Sequence, residues 1–583
     1  MKKLAVLLSM SLAACATDVR RFPLADPLWI DEDQNHVPEK PSDYYSGLMA
    51  DGADMMAFYP LSRMWTFPLA KEAANANALD EVPNSSWFTN RIGLHPVTPE
   101  EAALGACNGQ PKLDPADGKW IVSGAKPNGA NPGFFIKAPN GQRYLLKFDG
   151  PQQPPRATSA DVIGSKLYWT AGFFTPCNQV VYFPETIFAI DPEATAENEF
   201  GEKQPITDAD IDKTLSKAFR LKDGRLRASA SQFVPGRPIG PFTYQGTRGD
   251  DPNDIIPHED RRELRGSYVF AAWINHFDSR EQNTLDVWSK DGEREFIRHY
   301  IIDWGDSFGS RWPHDQISRR LGLSYYFDFQ HVFLDLITFG LIPRAWNRSE
   351  VSAEEIFGYY NVEQFDPVDY RPGYPNPAFD ARQPRDLMWA IRVLARFTPE
   401  HLRAIIAQGK LPDPRQEREL YRVLRGRQLK LIESVVTKYS PLTNFKLVRR
   451  KADSKRQSLC FEDIALQYGV VSSTVATYKM RFMGGEAADE ELGWLQFRPD
   501  SDHPHRSCAA LPIGHRRPAD LVDASAPDDD PKRYGIMRIF VHQTRSVLPT
   551  SETRVHMYDL GRERGFKIVG IEHPTNATRP DVY

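Results

Sequence analysis

Short apolar runs separated by turn residues predict a β-rich region between residues 120 and 190. WIVSGAK, GFFIKAP and RYLLKFD are the first three runs, and Asn140-Gly141 between the last two is a strong hairpin signal. The next segment carries apolar residues at a helical period: Val162, Ile163, Leu167 and Tyr168. NQVVYF and ETIFAI then predict two more strands. We therefore expect antiparallel strands with one helix, which ends near Gly172.

After a polar stretch the apolar positions change to the period of amphipathic helices. RRELRGSYVFAAWINHF, FDARQPRDLMWAIRVLARF and ERELYRVLRGRQLKLIESVVTKY each carry apolar residues on one face and charges on the other. From about residue 485 this periodicity disappears, and RYGIMRIFVHQ, TRVHMYDL and GFKIVGIEH predict strands. The predicted fold class is α+β, with a β-rich lobe, a helical lobe and a small β-rich C-terminal module.

The first residues, MKKLAVLLSMSLAACATD, have two lysines before a short apolar stretch. That stretch is shorter than the roughly 20 residues of a membrane helix, so it predicts a signal peptide. Leu12-Ala13-Ala14-Cys15 resembles a lipobox, which implies a lipid anchor on Cys15. The alternative is an ordinary signal peptide in which Cys15 is incidental. The resemblance places the protein in a bacterial cell envelope, and Ala16 favours the outer membrane, facing the periplasm or the cell surface.

At 583 residues the chain exceeds the roughly 300 residues at which a single core stops growing, so several domains are expected. The net charge of -5 argues against a nucleic-acid partner, which needs a clustered basic face. The patterns divide the chain into a signal peptide (1–14), a tether and N-terminal extension (15–115), a β-rich lobe (116–235), a helical lobe (236–445) and the β-rich module (485–583).

Four cysteines remain after the anchor. An oxidising compartment permits the pairs Cys107 with Cys177 and Cys460 with Cys508, which respect the expected domain limits, and four separate thiols are the alternative. Zinc is a further possibility for one group near the C-terminus, although its spacing matches no standard pattern: His503, His505, Cys508 and His515.

The motif that carries most chemical information is Asn275-His276-Phe277-Asp278-Ser279-Arg280-Glu281-Gln282-Asn283, which fits H-x-D-x-x-x-x-N. Asp303-Trp304-Gly305 follows, after an apolar strand. Upstream, Lys147 ends the third predicted strand and Asp161 begins the helix after it. Two glycines, Gly129 and Gly133, are expected in the turn between the first two strands.

In this order the motifs resemble the protein-kinase-like superfamily, from about Trp120 to Tyr439, and most of all its atypical bacterial branches of the HipA and CotH types. The resemblance implies a bilobal fold and Mg²⁺-dependent transfer of a phosphoryl group from ATP or another nucleotide to a hydroxyl of an unidentified protein or envelope small molecule. A catalytically silent scaffold and nucleotidyl transfer to protein side chains are the alternatives.

The resemblance also assigns roles to individual residues. Lys147 would hold the nucleotide phosphates with Asp161 as its ion-pair partner, and the glycine turn would contribute backbone amides. Asp303 and Asn283 would bind Mg²⁺ through oxygen atoms. Asp278 would accept the proton of the acceptor hydroxyl or orient it, with His276 bracing the loop.

Each role has a structural alternative. Lys147 could be solvated and face Asp149, Asp161 could be a helix N-cap, and Asp306 could replace Asp303 as a metal ligand. A charged group before the first long helix could bind an acidic substrate or form a solvated first turn: His258, Glu259, Arg261 and Arg262.

Overall fold

The computed structural model describes residues 20–63, 71–126, 131–197, 203–449, 456–486, 488–499, 502–511, 516–523, 525–546 and 548–575. Cys15, Gly129 and His515, and with them the signal peptide and its lipidation site, lie outside these stretches. The described parts of residues 29–76 and 82–435 form a larger unit, and those of residues 20–28, 77–81 and 436–575 form a smaller unit. None of the described helices combines the length and the apolar character needed to cross a bilayer.

A seven-stranded mixed sheet dominates the first part of the larger unit. Its strands are β1 (Trp120–Ala125), β2 (Gly133–Lys137), β3 (Arg143–Phe148), β4 (Asn178–Phe183), β5 (Phe188–Glu197), β6 (Lys203–Pro205) and β7 (Leu226–Gln232). They lie in the order β4-β7-β3-β2-β1-β5-β6. The predicted hairpin between β2 and β3 is confirmed, with Gly141 at φ 79° in its turn. β7 was not predicted because its sequence is polar, although it pairs with both β3 and β4.

Helices supply most of the rest of this unit. They are α1 (Leu48–Ala53), α2 (Tyr59–Arg63), α3 (Pro99–Leu104), α4 (Arg156–Ala171), α5 (Asp208–Leu215), α6 (Arg262–Ile274), α7 (Asp315–Arg320), α8 (Phe329–Thr338), α9 (Pro377–Asp380), α10 (Pro384–Leu394), α11 (Pro399–Gln408) and α12 (Pro414–Val436). The α+β class is therefore confirmed. The helix predicted after β3 is present as α4, but it begins at Arg156, several residues before Asp161.

A second sheet lies within the region that was expected to be helical. It contains β8 (Arg237–Gly240), β9 (Thr284–Asp291) and β10 (Arg294–Ile301), in the order β10-β9-β8. A tight turn at Gly292, with φ 64°, joins β9 and β10 into a hairpin. β10 is the apolar strand that leads to Asp303, and β9 begins directly after Asn283, so this hairpin brings the two sequence motifs together.

Both interpretations of the charged group before α6 are wrong. His258, Arg261 and Arg262 are each 1% exposed, so they neither form a solvated turn nor face a substrate. Arg262 pairs with the buried Asp386 of α10 at 3.2 Å, and Arg261 lies over the Trp87 ring. These cations therefore attach α6 to its neighbours, and ion pairing keeps such groups stable inside a protein.

Strands also dominate the smaller unit. They are β11 (Leu442–Arg449), β12 (Gln457–Asp463), β13 (Thr477–Gly484), β14 (Glu490–Phe497), β15 (Arg506–Ala510), β16 (Tyr534–His542), β17 (Ser551–Asp559) and β18 (Phe566–Glu572), with one short helix, α13 (Ile464–Gln467). They form a three-stranded sheet, β11-β12-β15, and a five-stranded sheet, β14-β13-β16-β17-β18. The strands thus begin at Leu442, well before residue 485, and they were missed because polar and charged residues interrupt the alternation in β11 and β12.

Two disulfides join the cysteine pairs that the sequence suggested, Cys107–Cys177 and Cys460–Cys508. The alternative of four separate thiols is wrong for this structure. The zinc hypothesis is wrong as well, because Cys508 is committed to Cys460, and no cluster of potential metal ligands exists in the described stretches.

Replacing both Cys460 and Cys508 by alanine is expected to lower the free energy of unfolding by about 2–4 kcal/mol, because the crosslink limits the unfolded chain. The two cysteines are 48 residues apart. Denaturant unfolding of the double variant against the parent, both without reductant, measures the loss. A double variant that is as stable as the parent without reductant would contradict this assignment.

Candidate active site

β3 places Lys147 in the interior of the larger unit. Lys147 is 6% exposed and lies opposite Gly133 of β2 and Ser229 of β7. A Cβ atom on Gly133 would lie 2.2 Å from the carbonyl oxygen of Leu146, so only glycine permits this close approach of β2 and β3. The prediction that Gly133 sits in the turn is therefore wrong: it is the first residue of β2 and packs against the strand of Lys147.

Asp161 faces Lys147 from the second turn of α4, so the N-cap interpretation of Asp161 is wrong. The Lys147 Nζ lies 3.4 Å from Asp161 Oδ1 and 2.9 Å from Asp303 Oδ1. The Ser229 hydroxyl donates to Asp161 Oδ2 at 3.0 Å. The alternative of a solvated Lys147 beside Asp149 is also wrong, because Asp149 pairs with Arg227.

Asp303 follows β10 in a left-handed conformation, with φ 60°. Such backbone angles are uncommon for residues other than glycine, and they turn the side chain toward Lys147 here. The next residue, Trp304, is fully buried, and its amide donates to Asp161 Oδ1 at 3.2 Å. Asp161 therefore binds both the lysine and the backbone of the loop that carries Asp303.

The loop of the H-x-D-x-x-x-x-N motif starts where α6 ends. Asn275 adopts φ 56°, a left-handed conformation that terminates the helix. The Asn283 amide donates to the Asp278 carbonyl oxygen at 2.8 Å and to Asp278 Oδ2 at 3.0 Å. The Arg280 guanidinium lies 2.9 Å from Asp278 Oδ1. Asp278 is thus oriented by two neighbours from its own loop.

Asp306 fixes the same loop from the other side. The His276 ring donates through Nδ1 to Asp306 Oδ1 at 2.7 Å, and the Asp278 amide donates to Asp306 Oδ2 at 3.0 Å. Each oxygen of Asp306 therefore holds a residue of the motif loop, which gives Asp306 a positioning role that the sequence did not reveal. His276 is 2% exposed and acts as a brace for the loop.

Asn283 and Asp303 become neighbours through the β9–β10 hairpin. The Ile302 amide donates to the Asn283 carbonyl oxygen at 3.0 Å, directly beyond the last pair of the ladder. The Asp303 side chain is 32% exposed, so an oxygen donor is accessible there. This donor set fits Mg²⁺, which is commonly held by one or two carboxylates together with substrate phosphates.

The charges around Lys147 stabilise one another. Burial alone would raise the pKa of Asp303, but Lys147 and Lys126 outweigh it and hold the pKa well below its usual range. Burial alone would lower the pKa of Lys147, but Asp161 and Asp303 outweigh it and raise the pKa. Lysine and aspartate are therefore both ionised across the physiological pH range.

Asp278 behaves differently from Asp303. Burial raises the pKa of Asp278 to about 6, with Arg280 opposing the rise and Asp306 adding to it. A carboxylate with such a pKa is a better general base at neutral pH than an ordinary aspartate, because catalytic efficiency is greatest when the pKa lies near the operating pH. The two aspartates thus differ electrostatically: lysines that outweigh burial hold the pKa of Asp303 low, whereas burial raises the pKa of Asp278.

The site contains two further cationic side chains that the motifs did not predict. Lys126, at the end of β1, interacts electrostatically with Asp303, and its own pKa is lowered by burial. The buried Arg156 donates to the carbonyl oxygens of Gly305 and Ser307 at 2.9 and 2.6 Å. Neither belongs to a motif, but a lysine directly before the glycine-rich turn and an arginine at a helix start were visible signals.

Gly164 of α4 lets the helix approach the loop of Asp303. A Cβ atom on Gly164 would lie 2.5 Å from the Cβ of Trp304. Although alanine favours helices more than glycine, we expect Gly164→Ala to lower the free energy of unfolding by about 1–3 kcal/mol through this overlap. Thermal or denaturant unfolding measures the change. Gly150→Ala, where a new Cβ meets nothing within 4 Å, is the control, and equal stability of the two variants would contradict the packing argument.

No family model matches this chain, and no curated protein matches it. Among solved structures it shows a distant similarity to a crystal structure of the Golgi casein kinase, at 10% identity and a TM-score of 0.22, over 48% of this chain and 74% of the other. A second structure of that kinase, with Mn and ADP bound, matches at 11% identity and a TM-score of 0.21, over 55% and 75%.

Proposed function

We propose that the larger unit is a bilobal, kinase-like phosphotransferase that moves a phosphoryl group from a nucleotide to a hydroxyl. The observation that carries the proposal is the position of Lys147 between Asp161 and Asp303 in the protein interior. Removing a lysine and two carboxylates from water costs free energy, so packing alone does not favour this buried arrangement. Phosphate binding gives this arrangement a chemical use.

Each residue contributes to one part of the transfer. Lys147, held by Asp161, contacts the phosphates of the nucleotide, and Asp303 and Asn283 offer the oxygen ligands for Mg²⁺. Mg²⁺ held by these two residues would neutralise charge on the phosphate oxygens. The acceptor oxygen forms the new bond to the terminal phosphorus as the bond to the leaving diphosphate breaks, and Asp278 takes the hydroxyl proton. Asp306 and His276 keep Asp278 in place.

We further propose that Cys15 anchors this enzyme by a lipid to a bacterial cell envelope, with the outer membrane as the favoured site. The support is the sequence alone: two lysines, a short apolar stretch and the lipobox-like Leu12-Ala13-Ala14-Cys15. The two disulfides fit an oxidising compartment such as the periplasm or the cell surface. The acceptor would then be a protein or a small molecule of the envelope.

Thermal unfolding of the full chain with nucleotides tests the proposed function. We expect ATP with Mg²⁺ or Mn²⁺ to raise the melting temperature, since a ligand present at 100 times its Kd stabilises the native state by about 2.7 kcal/mol. Asp303→Asn should remove the metal-dependent part of the rise. Asp291→Asn, an exposed acid at the end of β9, is the matched control and should respond like the parent. If no nucleotide shifts the melting temperature with either metal, the proposal is wrong.

A further inference from the structure

A cavity of about 450 Å³ opens beside the Asp278 loop. Ser279, Arg280 and Glu281, which follow Asp278 directly, line one side of it, and residues 44–55 line another. A volume of this size is in the range of small-molecule sites, which is about 300–1,000 Å³. If Asp278 accepts the proton of the acceptor hydroxyl, this cavity is where the acceptor would lie.

Three carboxylates and several tyrosines determine the chemistry of the cavity. Asp51, Asp54 and Glu281 line it. Arg280 supplies the one guanidinium among the described lining residues. This guanidinium is already ion-paired with Asp278 at 2.9 Å. The lining therefore carries three carboxylates against one guanidinium, and a cationic ligand would relieve the excess of negative charge.

Asp51 is the most buried of the three carboxylates. It is 8% exposed, and its Oδ2 atom has no hydrogen-bond partner in the described part of the chain. A buried carboxylate oxygen without a donor costs free energy, so such an atom in a cavity wall indicates where a ligand donor would bind. Burial raises the pKa of Asp51. A hydrogen bond from Gln282 and the positive charge of Arg280 oppose this rise, and the negative charge of Asp54 adds to it.

The opposite wall joins Glu281 to tyrosine. Glu281 accepts hydrogen bonds from the Tyr44 hydroxyl at 3.3 Å and from the Ser46 hydroxyl. Burial and the charge of Glu281 raise the pKa of Tyr44 to about 12, so Tyr44 stays a neutral ring beside a carboxylate. A carboxylate among tyrosine side chains is a combination that suits ammonium groups, through ion pairing and, where a ring face is accessible, cation–π attraction.

A metal ion is a poorer occupant than an organic cation. No three acidic side chains in the described stretches are close enough to share a metal, so Asp51, Asp54 and Glu281 do not form such a cluster. Carboxylates that are spread around a tyrosine-lined cavity suit a larger cation that reaches several of them through separate N–H donors.

We propose that this cavity binds the acceptor, and that the acceptor is a small organic cation that carries both an ammonium group and a hydroxyl, of the amino alcohol or amino sugar class. The assignment rests on the proposed function for its catalytic meaning, but binding to the cavity requires neither nucleotide nor transfer. The ammonium would lie near Asp51 and Glu281, and the hydroxyl would lie toward Ser279 and Arg280, the lining residues that follow Asp278 in the chain.

Calorimetric titration of the full chain without nucleotide tests the assignment. The probes are glucosamine and ethanolamine, with N-acetylglucosamine and ethylene glycol as their neutral counterparts. At least one amine should bind, and its neutral counterpart should bind at least about tenfold more weakly. Asp51→Asn and Glu281→Gln should each weaken amine binding by about tenfold. Asp212→Asn, an exposed acid on α5, should leave it unchanged.

The outcomes separate this assignment from the proposed function. If no amine binds, or if Asp51→Asn and Glu281→Gln bind as the parent does, the cavity assignment is overturned even when ATP with Mg²⁺ still raises the melting temperature. If only a lysine- and serine-containing peptide binds, the small-molecule class is overturned. The protein could also bind an amine in a way that depends on Asp51 and yet bind no nucleotide. That result would uphold the cavity as a cation site and reject phosphotransfer.

Discussion

Replacing Asp278 by asparagine is expected to reduce kcat by about 10²- to 10⁴-fold, the usual contribution of a general base. Asparagine keeps the shape of the side chain and can still accept from Asn283, whose amide lies 3.0 Å from Asp278 Oδ2. It cannot take a proton from the acceptor hydroxyl. Nucleotide turnover followed as ADP release, with and without added amino alcohols, measures the effect, and the nucleotide-induced rise in melting temperature should persist.

The pH dependence gives this prediction a second readout. Asp278 must be ionised to accept a proton, and burial raises its pKa to about 6, so kcat/KM should rise as the pH increases through about 6 and then level off. Asp278→Asn should lose this rise. Asp291→Asn, with a side chain that is 57% exposed in the turn between β9 and β10, should keep both the rate and the pH profile. A profile that is identical in the Asp278 variant and the parent would exclude Asp278 as the base.

Replacing Lys147 by methionine is expected to have the second large effect. The change leaves Asp161, which is 1% exposed, without its cation, and breaking a buried ion pair in this way costs about 3–5 kcal/mol. The Ser229 hydroxyl and the Trp304 amide still donate to Asp161, which favours the lower end of that range. Denaturant unfolding measures the loss, and the nucleotide-induced rise in melting temperature should disappear.

Two further variants separate charge from packing. Lys147→Met combined with Asp161→Leu removes the uncompensated carboxylate and should recover part of the lost stability, but not nucleotide binding. Lys137→Met changes an exposed lysine on the neighbouring strand β2 and should alter stability by no more than about 0.5 kcal/mol. A parent-like response to nucleotide in the Lys147 variant would remove the lysine from the proposed phosphate site.

Residue patterns alone predicted much of the local structure near the site. The strands β1 to β3, the Asn140-Gly141 hairpin and most of α4 and α6 follow from alternation, turn residues and helical period. Errors occurred where the pattern was weak. β7 reads as polar because it is rich in serine and alanine, and α4 begins earlier than its apolar residues do. β9, and with it the β9–β10 hairpin, was missed because charged residues interrupt the alternation of β9.

The cysteine pairs show a different limit. The sequence offered two pairs and the alternative of four thiols, with nothing local to decide between them. The structure forms both pairs, with the Cα atoms 4.6 Å apart for Cys107–Cys177 and 4.0 Å apart for Cys460–Cys508. A bond between residues far apart in the chain depends on how the intervening elements pack, which no short pattern encodes.

By itself, the order of residues determined the H-x-D-x-x-x-x-N motif, the aspartate after an apolar strand and the lysine that ends β3, because each is a local feature of one element. Only the tertiary structure decided that Asp161 and Asp303 meet at Lys147, that Asp306 braces the Asp278 loop, and that Asp51 reaches a cavity beside it. The physical reason is distance along the chain: charges separated by many residues converge only when packing forces them together, and their pKa values are set by that convergence.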